Sequence, residues 1–250
     1  KNMNNPVSML EDNLLINSNV LHACHATKVK KVLACLSTCI FPDGLEELTE
    51  EDLHKGPPHF SNSSYAYAKR MLAIQCDAYN KISDTQFSCV IPTNIYGPND
   101  NYNLKESHVI PSLIHKAFIC DDELVVYGDG TPLRQFIHSH ELARMMLTII
   151  EHSRVPDTFI LTSLKCNEMS IGYVAETIVS AIESNEKITI RYDKSKANGQ
   201  MRKYARNDKL INFLCDNSLY DLIYNTSPTF EEGIYDAVAW FGQNFDTCRK

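Results

Sequence analysis

Glycine is scarce in this chain, with nine residues in 250, and no G-x-x-G-x-x-G run occurs among them. A backbone cradle for a phosphate at a helix start, which needs such glycines, is therefore not written in these residues. Positive charge is short as well: 24 Lys and Arg stand against 31 Asp and Glu, a net charge of −7. With no block of five or six like charges, nothing offers a basic footprint for DNA or RNA. Long apolar runs are missing too. Val32 to Leu36 and Leu124 to Tyr127 fall far short of the ~20 residues a membrane span requires, so a soluble chain is expected. Cysteine is present nine times (24, 35, 39, 76, 89, 120, 166, 215, 248) but never as C-x-x-C. A disulfide framework or a zinc ribbon needs paired spacing, so reduced thiols in a cytosolic protein are the expectation. In that compartment the Asn62 and Asn225 glycosylation sequons carry no weight. Lys1 to Met9 lacks the order of a signal peptide and does not begin with Met, which suggests a piece of a longer protein.

Hydrophobic residues make up 44% of the chain and charged residues 22%, an ordinary globular balance with enough chain for a sizeable core. Apolar positions at Leu14, Leu15, Val20, Leu21 and Cys24 predict a helix over Leu10 to Lys28. A second helix is expected from Ser64 to Tyr79, behind the Ser61-Asn62-Ser63 capping cluster. Further helices are expected over 108–120, 139–151, 170–184, 207–214 and 229–245. Strands are expected over 31–36, 86–91, 124–127, 158–162 and 188–192. Strands alternating with helices of ten or more residues predict an α/β fold with a mainly parallel sheet. Such a sheet places its chemistry beyond the carboxyl ends of its strands. That selects Ser37-Thr38-Cys39, Pro92-Thr93-Asn94 and the stretch Gly128 to Arg134, read as a turn.

Tyr65 and Lys69 form Y-x-x-x-K, a phenol and an ammonium one helical turn apart on the same face. The ammonium is expected to lower the phenol pKa and make it a proton donor or acceptor near neutral pH. The motif is short enough to arise by accident, and Tyr192 to Lys196 repeats it. Context separates the two, since Tyr65 has the Ser37 hydroxyl after the preceding strand whereas Tyr192 has no such partner. Cys39 reads as a small buried apolar residue or, past a strand end, as a thiol at the mouth of the sheet. His108 is expected at a helix N-terminus, which disfavours imidazolium and suits a neutral base or donor.

The Ser, Tyr and Lys set resembles the short-chain dehydrogenase/reductase family. Five runs in one order, CLSTCIFP (35–42), YAYAK (65–69), IPTNIYGPND (91–100), SHVIP (107–111) and GDGTPLRQFIH (128–138), resemble more narrowly its extended branch, the GDP-L-fucose synthase family. The resemblance spans essentially the whole chain. It implies a Rossmann-like doubly wound parallel sheet lacking its first half of about 70 residues, with a smaller substrate-binding domain. Residues 1–106 and 137–163 would form the partial NADP-binding domain, and 107–136 and 164–250 the substrate-binding domain. The implied reaction is 3,5-epimerisation of GDP-4-keto-6-deoxy-D-mannose followed by NADPH-dependent reduction at C4. By the same resemblance Tyr65 is the general acid, Lys69 holds it and the cofactor ribose, Ser37 orients the carbonyl, and Cys39 and His108 are the epimerising acid/base pair. The cofactor NADP(H) would also meet Ser37, Pro92, Asn94, Ile95 and His108. Lys116, Tyr127, Arg134 and Asn198 would bind the GDP-sugar, and helices 10–28 and 64–79 would pair in a homodimer.

Departures accompany the match. Tyr127 stands where the family has Trp, Asn198-Gly199 where it has Asp-Gly, and His140-Glu141 where it has two acidic residues. With the glycine turn missing, this chain is expected to bind NADPH weakly or not at all. Two other readings remain: a different extended reductase acting on another nucleotide sugar, and a catalytically inactive relative serving as a dimerisation or regulatory fragment. The His22-Cys24-His25 cluster is not expected to hold metal, because the three do not share one helical face, and the acidic run Glu46 to Asp52 is read as a solvated loop.

Overall fold

The computed structural model describes residues 5–182 and 188–250. In chain order the elements are α1 (Pro6–Ala26), β1 (Lys31–Cys35), β2 (Glu47–Leu48), α2 (Ser63–Asn80), β3 (Gln86–Pro92), β4 (Asn94–Tyr96), α3 (Val109–Ile119), β5 (Glu123–Tyr127), β6 (Leu133–His138) and α4 (Ser139–His152). They continue with β7 (Thr158–Leu161), β8 (Glu168–Ser170), α5 (Ile171–Ala181), β9 (Thr189–Asp193), β10 (Tyr204–Ala205), α6 (Asp208–Asp216), α7 (Tyr220–Thr226) and α8 (Phe230–Gln243). Short 3₁₀ turns lie at Thr38–Ile40, Glu50–Asp52 and Phe60–Asn62. The class is α/β with parallel sheets, as the alternation predicts. The tail of the helix expected to reach Ser184 lies outside the described residues.

Two compact units divide the chain. The first takes Lys1–Thr93, Leu142–Thr162 and Ala205–Ile223. Its sheet runs β1-β3-β7, all parallel, with β3 in the middle. Six of the seven β3 residues are buried, which is why Phe87 to Pro92 reads as a continuous run without alternation. Leu21 of α1, Leu72 and Cys76 of α2, and Phe87 and Ile91 of β3 share one core. Fully burying one such aliphatic or aromatic side chain contributes roughly 1.5–3 kcal/mol. Pro6 at the start of α1 has its fixed φ where a helix tolerates it.

The second unit takes Asn94–Glu141, Ser163–Tyr204 and Tyr224–Lys250. In it β4 pairs parallel with β6, β6 antiparallel with β8, and β5 parallel with β9. Its core is aromatic: Tyr102 stacks on Phe241 with ring centroids 4.4 Å apart, and Phe118 meets the same ring edge-on at 5.0 Å. A Thr229/Glu232 capping box starts α8, which carries Phe241.

Three expectations need correction. Gly128 to Arg134 is not one turn, because β6 begins at Leu133 and Arg134 lies in the strand. Asn94 is not in a loop but opens β4, whose three residues are too few to show a period. The run Glu46 to Asp52 is not simply solvated. A carboxylate oxygen of Glu50 accepts the N–H of Ile160 at 2.8 Å, and burial raises the Glu50 pKa. That N–H belongs to β7, the outer strand of its sheet, whose unpaired edge groups need partners. No described helix is long and apolar enough to cross a membrane, and all nine cysteines are free.

Candidate active site

In the first unit, four of the expected residues gather beyond the end of β1. Ser37 caps the Thr38–Ile40 turn, its Oγ accepting the Cys39 N–H at 3.3 Å. That hydroxyl also lies near enough to the Tyr65 phenol to lower its pKa. Tyr65 is the third residue of α2, and Lys69 follows one turn later. The Lys69 ammonium donates to the Cys35 carbonyl at 2.9 Å and lies 6.0 Å from the Tyr65 ring centre. A serine hydroxyl, a phenol, a thiol and an ammonium thus stand at one strand end, where an open parallel sheet places its chemistry. Pro92, the last residue of the neighbouring strand β3, is buried.

The expected lowering of the Tyr65 pKa is not what this environment gives. Burial raises it, the nearby Cys39 and Cys35 thiols raise it further, and only the Ser37 hydrogen bond opposes them. Burial disfavours the phenolate, and the Lys69 ammonium is engaged with a backbone carbonyl. This environment therefore favours the protonated phenol.

Sequence reasoning missed Arg70. This buried side chain donates from Nε to the Ile40 carbonyl at 2.5 Å, tying the turn that carries Ser37 and Cys39 to α2. Burial lowers its pKa. Its place directly after Lys69 was the available signal, but a lone arginine on a helix more often faces solvent.

In the second unit, Asn94 donates from Nδ2 to the Gln135 carbonyl at 2.8 Å, fastening β4 to β6, and Ile95 beside it is exposed. His108 stands at the N-cap of α3 with its side chain exposed and making no cap bond. Lys116 points from α3 to β5, where its ammonium lies 3.9 Å over the Tyr127 ring and donates to the Val125 carbonyl at 3.4 Å. Arg134 donates to the carbonyls of Leu133 (2.7 Å) and Gln200 (2.6 Å). Burial lowers the pKa of both cations, and no carboxylate pairs with either among the described residues. Asn198 accepts the Asp129 N–H at 2.8 Å. Gly128, at φ +85°, is required there, since a Cβ would come within 2.2 Å of the Asn198 Oδ1. The Asp129 carboxylate accepts the Thr131 hydroxyl and N–H, and these, with Asn198 nearby, hold its pKa down at about 2. Lys116, Tyr127, Arg134 and Asn198 are therefore gathered about the β5–β6 turn. Tyr192, the decoy, is structural, its ring closing on Gly130 so that a Cβ there would lie 2.4 Å from it.

Comparison with known proteins extends these geometries. A family profile described as the NAD dependent epimerase/dehydratase family matches residues 1–161. GDP-L-fucose synthase of Dictyostelium discoideum is 41% identical over 253 residues, covering 100% of this chain and 76% of that protein. A probable GDP-L-fucose synthase of Drosophila melanogaster is 39% identical, covering 100% and 78%. The crystal structure of a GDP-L-fucose synthetase from Naegleria fowleri, 42% identical, superposes with a TM-score of 0.90 over 99% of this chain and 76% of that one. The same Naegleria protein bound to NADP superposes with 0.89. With its Ser-Tyr-Lys set at the end of a parallel strand and this degree of identity along its length, the chain belongs to the NAD-dependent epimerase/dehydratase family, within its GDP-L-fucose synthase branch.

Proposed function

We propose that this chain carries the residues that convert GDP-4-keto-6-deoxy-D-mannose to GDP-L-fucose, by inversion at C3 and C5 followed by reduction at C4. The observation supporting it most directly is the convergence of Ser37, Cys39, Tyr65 and Lys69 beyond β1, with the Cys39 N–H on Ser37, the Lys69 ammonium on the Cys35 carbonyl, and Tyr65 near Ser37 and Cys39. A C4 ketone acidifies the hydrogens on C3 and C5. Cys39 and His108, as acid and base, remove a proton from one face of each carbon and return one to the other. Ser37 orients the C4 carbonyl, and Tyr65, kept protonated by its burial, gives its proton to O4. Lys116 and Arg134 hold the diphosphate, Arg134 by its planar fork, with Tyr127 as a stacking face and Asn198 as a neutral polar contact.

NADPH, when bound, supplies the hydride to C4. The donor set at the β1 end fits the nicotinamide-ribose portion of such a cofactor: Lys69 and Ser37 offer polar groups to ribose hydroxyls, with Pro92, Asn94, Ile95 and His108 assigned beside them. Among the described residues no glycine turn at a helix start offers itself to the pyrophosphate portion. Of the positive-φ glycines at 44, 97, 128, 130 and 199, none opens a helix. Nine free thiols suit a reducing cytosolic compartment.

Solvent deuterium exchange at C3 and C5 tests epimerisation, and NADPH oxidation tests reduction. Tyr65→Phe is expected to abolish oxidation and keep exchange, whereas Cys39→Ser is expected to abolish both. Undiminished exchange in Cys39→Ser, or none in the unaltered chain, would overturn the assignment. The second outcome would favour a non-catalytic relative.

A further inference from the structure

Away from these residues, the second unit brings together two histidines and an aspartate. His138 ends β6, His140 stands in the first turn of α4, and Asp236 lies on α8. One ligand-type atom from each lies within 4.8 Å of the others, the one such group of three among the described residues. His138 is 3% exposed, wedged so that a Cβ on Gly97 or Gly233 would come within 3.1 Å of its ring. Its Nε2 lies 3.2 Å from the Asp236 Oδ2 but out of line for a hydrogen bond, which leaves a buried ring nitrogen without one. His140 and Asp236 are exposed, so the group opens to solvent on one side.

We propose that His138, His140 and Asp236 form a binding site for a divalent transition-metal ion of the zinc class. Two imidazoles and one carboxylate are a donor set that such ions favour over Mg²⁺ or Ca²⁺, and three protein ligands leave a position for water. His-x-His at 138–140 places both rings at one corner between strand and helix, and their centroids are 5.0 Å apart. Binding draws the three ligand atoms together by about 1 Å, to the spacing of a tetrahedral shell, a movement open to the two exposed side chains. Coordination through the His138 Nε2 moves the ring proton to Nδ1, giving up only a long 3.4 Å contact from the His140 N–H. The ion would clamp the β6–α4 corner to α8. It lies among residues to which the proposed reaction assigns no role, and it depends on His140, one of the chain's departures from the acidic pattern of its family.

Cobalt titration of the full chain, followed by its visible ligand-field bands and by displacement with zinc, provides the test. The expected result is one Co²⁺ per chain, a spectrum without a thiolate charge-transfer band, and a rise in Tm on adding Zn²⁺. His140→Ala and Asp236→Ala alter exposed positions and are expected to fold. Each should weaken binding by roughly tenfold or more and remove the zinc-dependent rise in Tm. The proposal is overturned if both variants bind as the parent does, if the spectrum shows metal on cysteine thiolates only, or if the parent takes no cobalt below about 1 mM. Far-UV circular dichroism confirms folding of each variant, and His140→Asp, which restores an acidic residue there, supplies a second exposed variant expected to lose cobalt affinity.

Discussion

At the residue scale, Arg70 and Glu50 each hold backbone that would otherwise be unpaired. Arg70 fixes the Ile40 carbonyl and with it the Ser37–Cys39 turn. Misplacing reacting groups by an ångström can cost on the order of a hundredfold in rate. Arg70→Met is therefore expected to lower exchange at C3 and C5 by roughly ten- to a hundredfold, which kinetics in deuterated solvent would show. Glu50 works at the far edge of the sheet, with its pKa raised by burial. Its folded form binds a proton more readily than its unfolded form, so ionising it costs stability as pH rises from the unfolded value through the folded one. Glu50→Gln, which keeps an acceptor for the Ile160 N–H, is expected to equal or exceed the parent in stability at pH 7. That difference should vanish below the unfolded pKa, where the parent carboxyl is protonated in both states. Glu50→Ala leaves the N–H without its acceptor and should cost about 1–3 kcal/mol at pH 7. Urea melts at pH 7 and pH 4 separate these outcomes.

At the scale of elements, α1 and α2 pack together through the Gln75 to Ser18 hydrogen bond, yet both also present apolar residues outward. Leu15, Ile16 and Val20 on α1 and Met71 and Ile74 on α2 are each more than 40% exposed, an apolar surface larger than single scattered residues explain. Pairing of these helices with their copies in a second chain would cover it. Ile16→Glu combined with Ile74→Glu is expected to convert a dimer to a monomer in size-exclusion chromatography with light scattering, without loss of helix content. A parent that is itself monomeric at tens of micromolar would refute the pairing. These long helices were readable from periodicity, as was buried β3 from its apolar run. The strands β4 and β8, three residues each, were not, because so few positions carry no period. Leu133 and Arg134 were misread for another reason: the glycines at 128 and 130 signal a turn, and nothing in the residue types marks where it gives way to β6. Among the site residues, Tyr65, Lys69, Ser37 and Cys39 could be found because strand-end position and ordered motifs coincide. The raised phenol pKa could not, since burial at 65 depends on contacts from β1 and its following turn.

Across the 250 residues, the side chains proposed to do the chemistry are present and no G-x-x-G-x-x-G run is. Isothermal titration of the 250-residue chain is expected to show NADPH binding weaker than micromolar, so that oxidation is seen only at millimolar NADPH, whereas exchange at C3 and C5, which needs no hydride, proceeds without it. Micromolar affinity would show that groups other than a glycine turn hold the phosphates. The units described above alternate along the chain, with changes at 93/94, 141/142, 162/163, 204/205 and 223/224. Neither can be excised as one continuous fragment. A ribosome must deliver Ile223 before the first is covalently complete, and α8 of the second, which begins at Phe230, emerges after it. Phe241, the ring that both Tyr102 and Phe118 pack against, is thus translated more than a hundred residues after them, and until it arrives they and their neighbours have surface that must be kept from wrong partners.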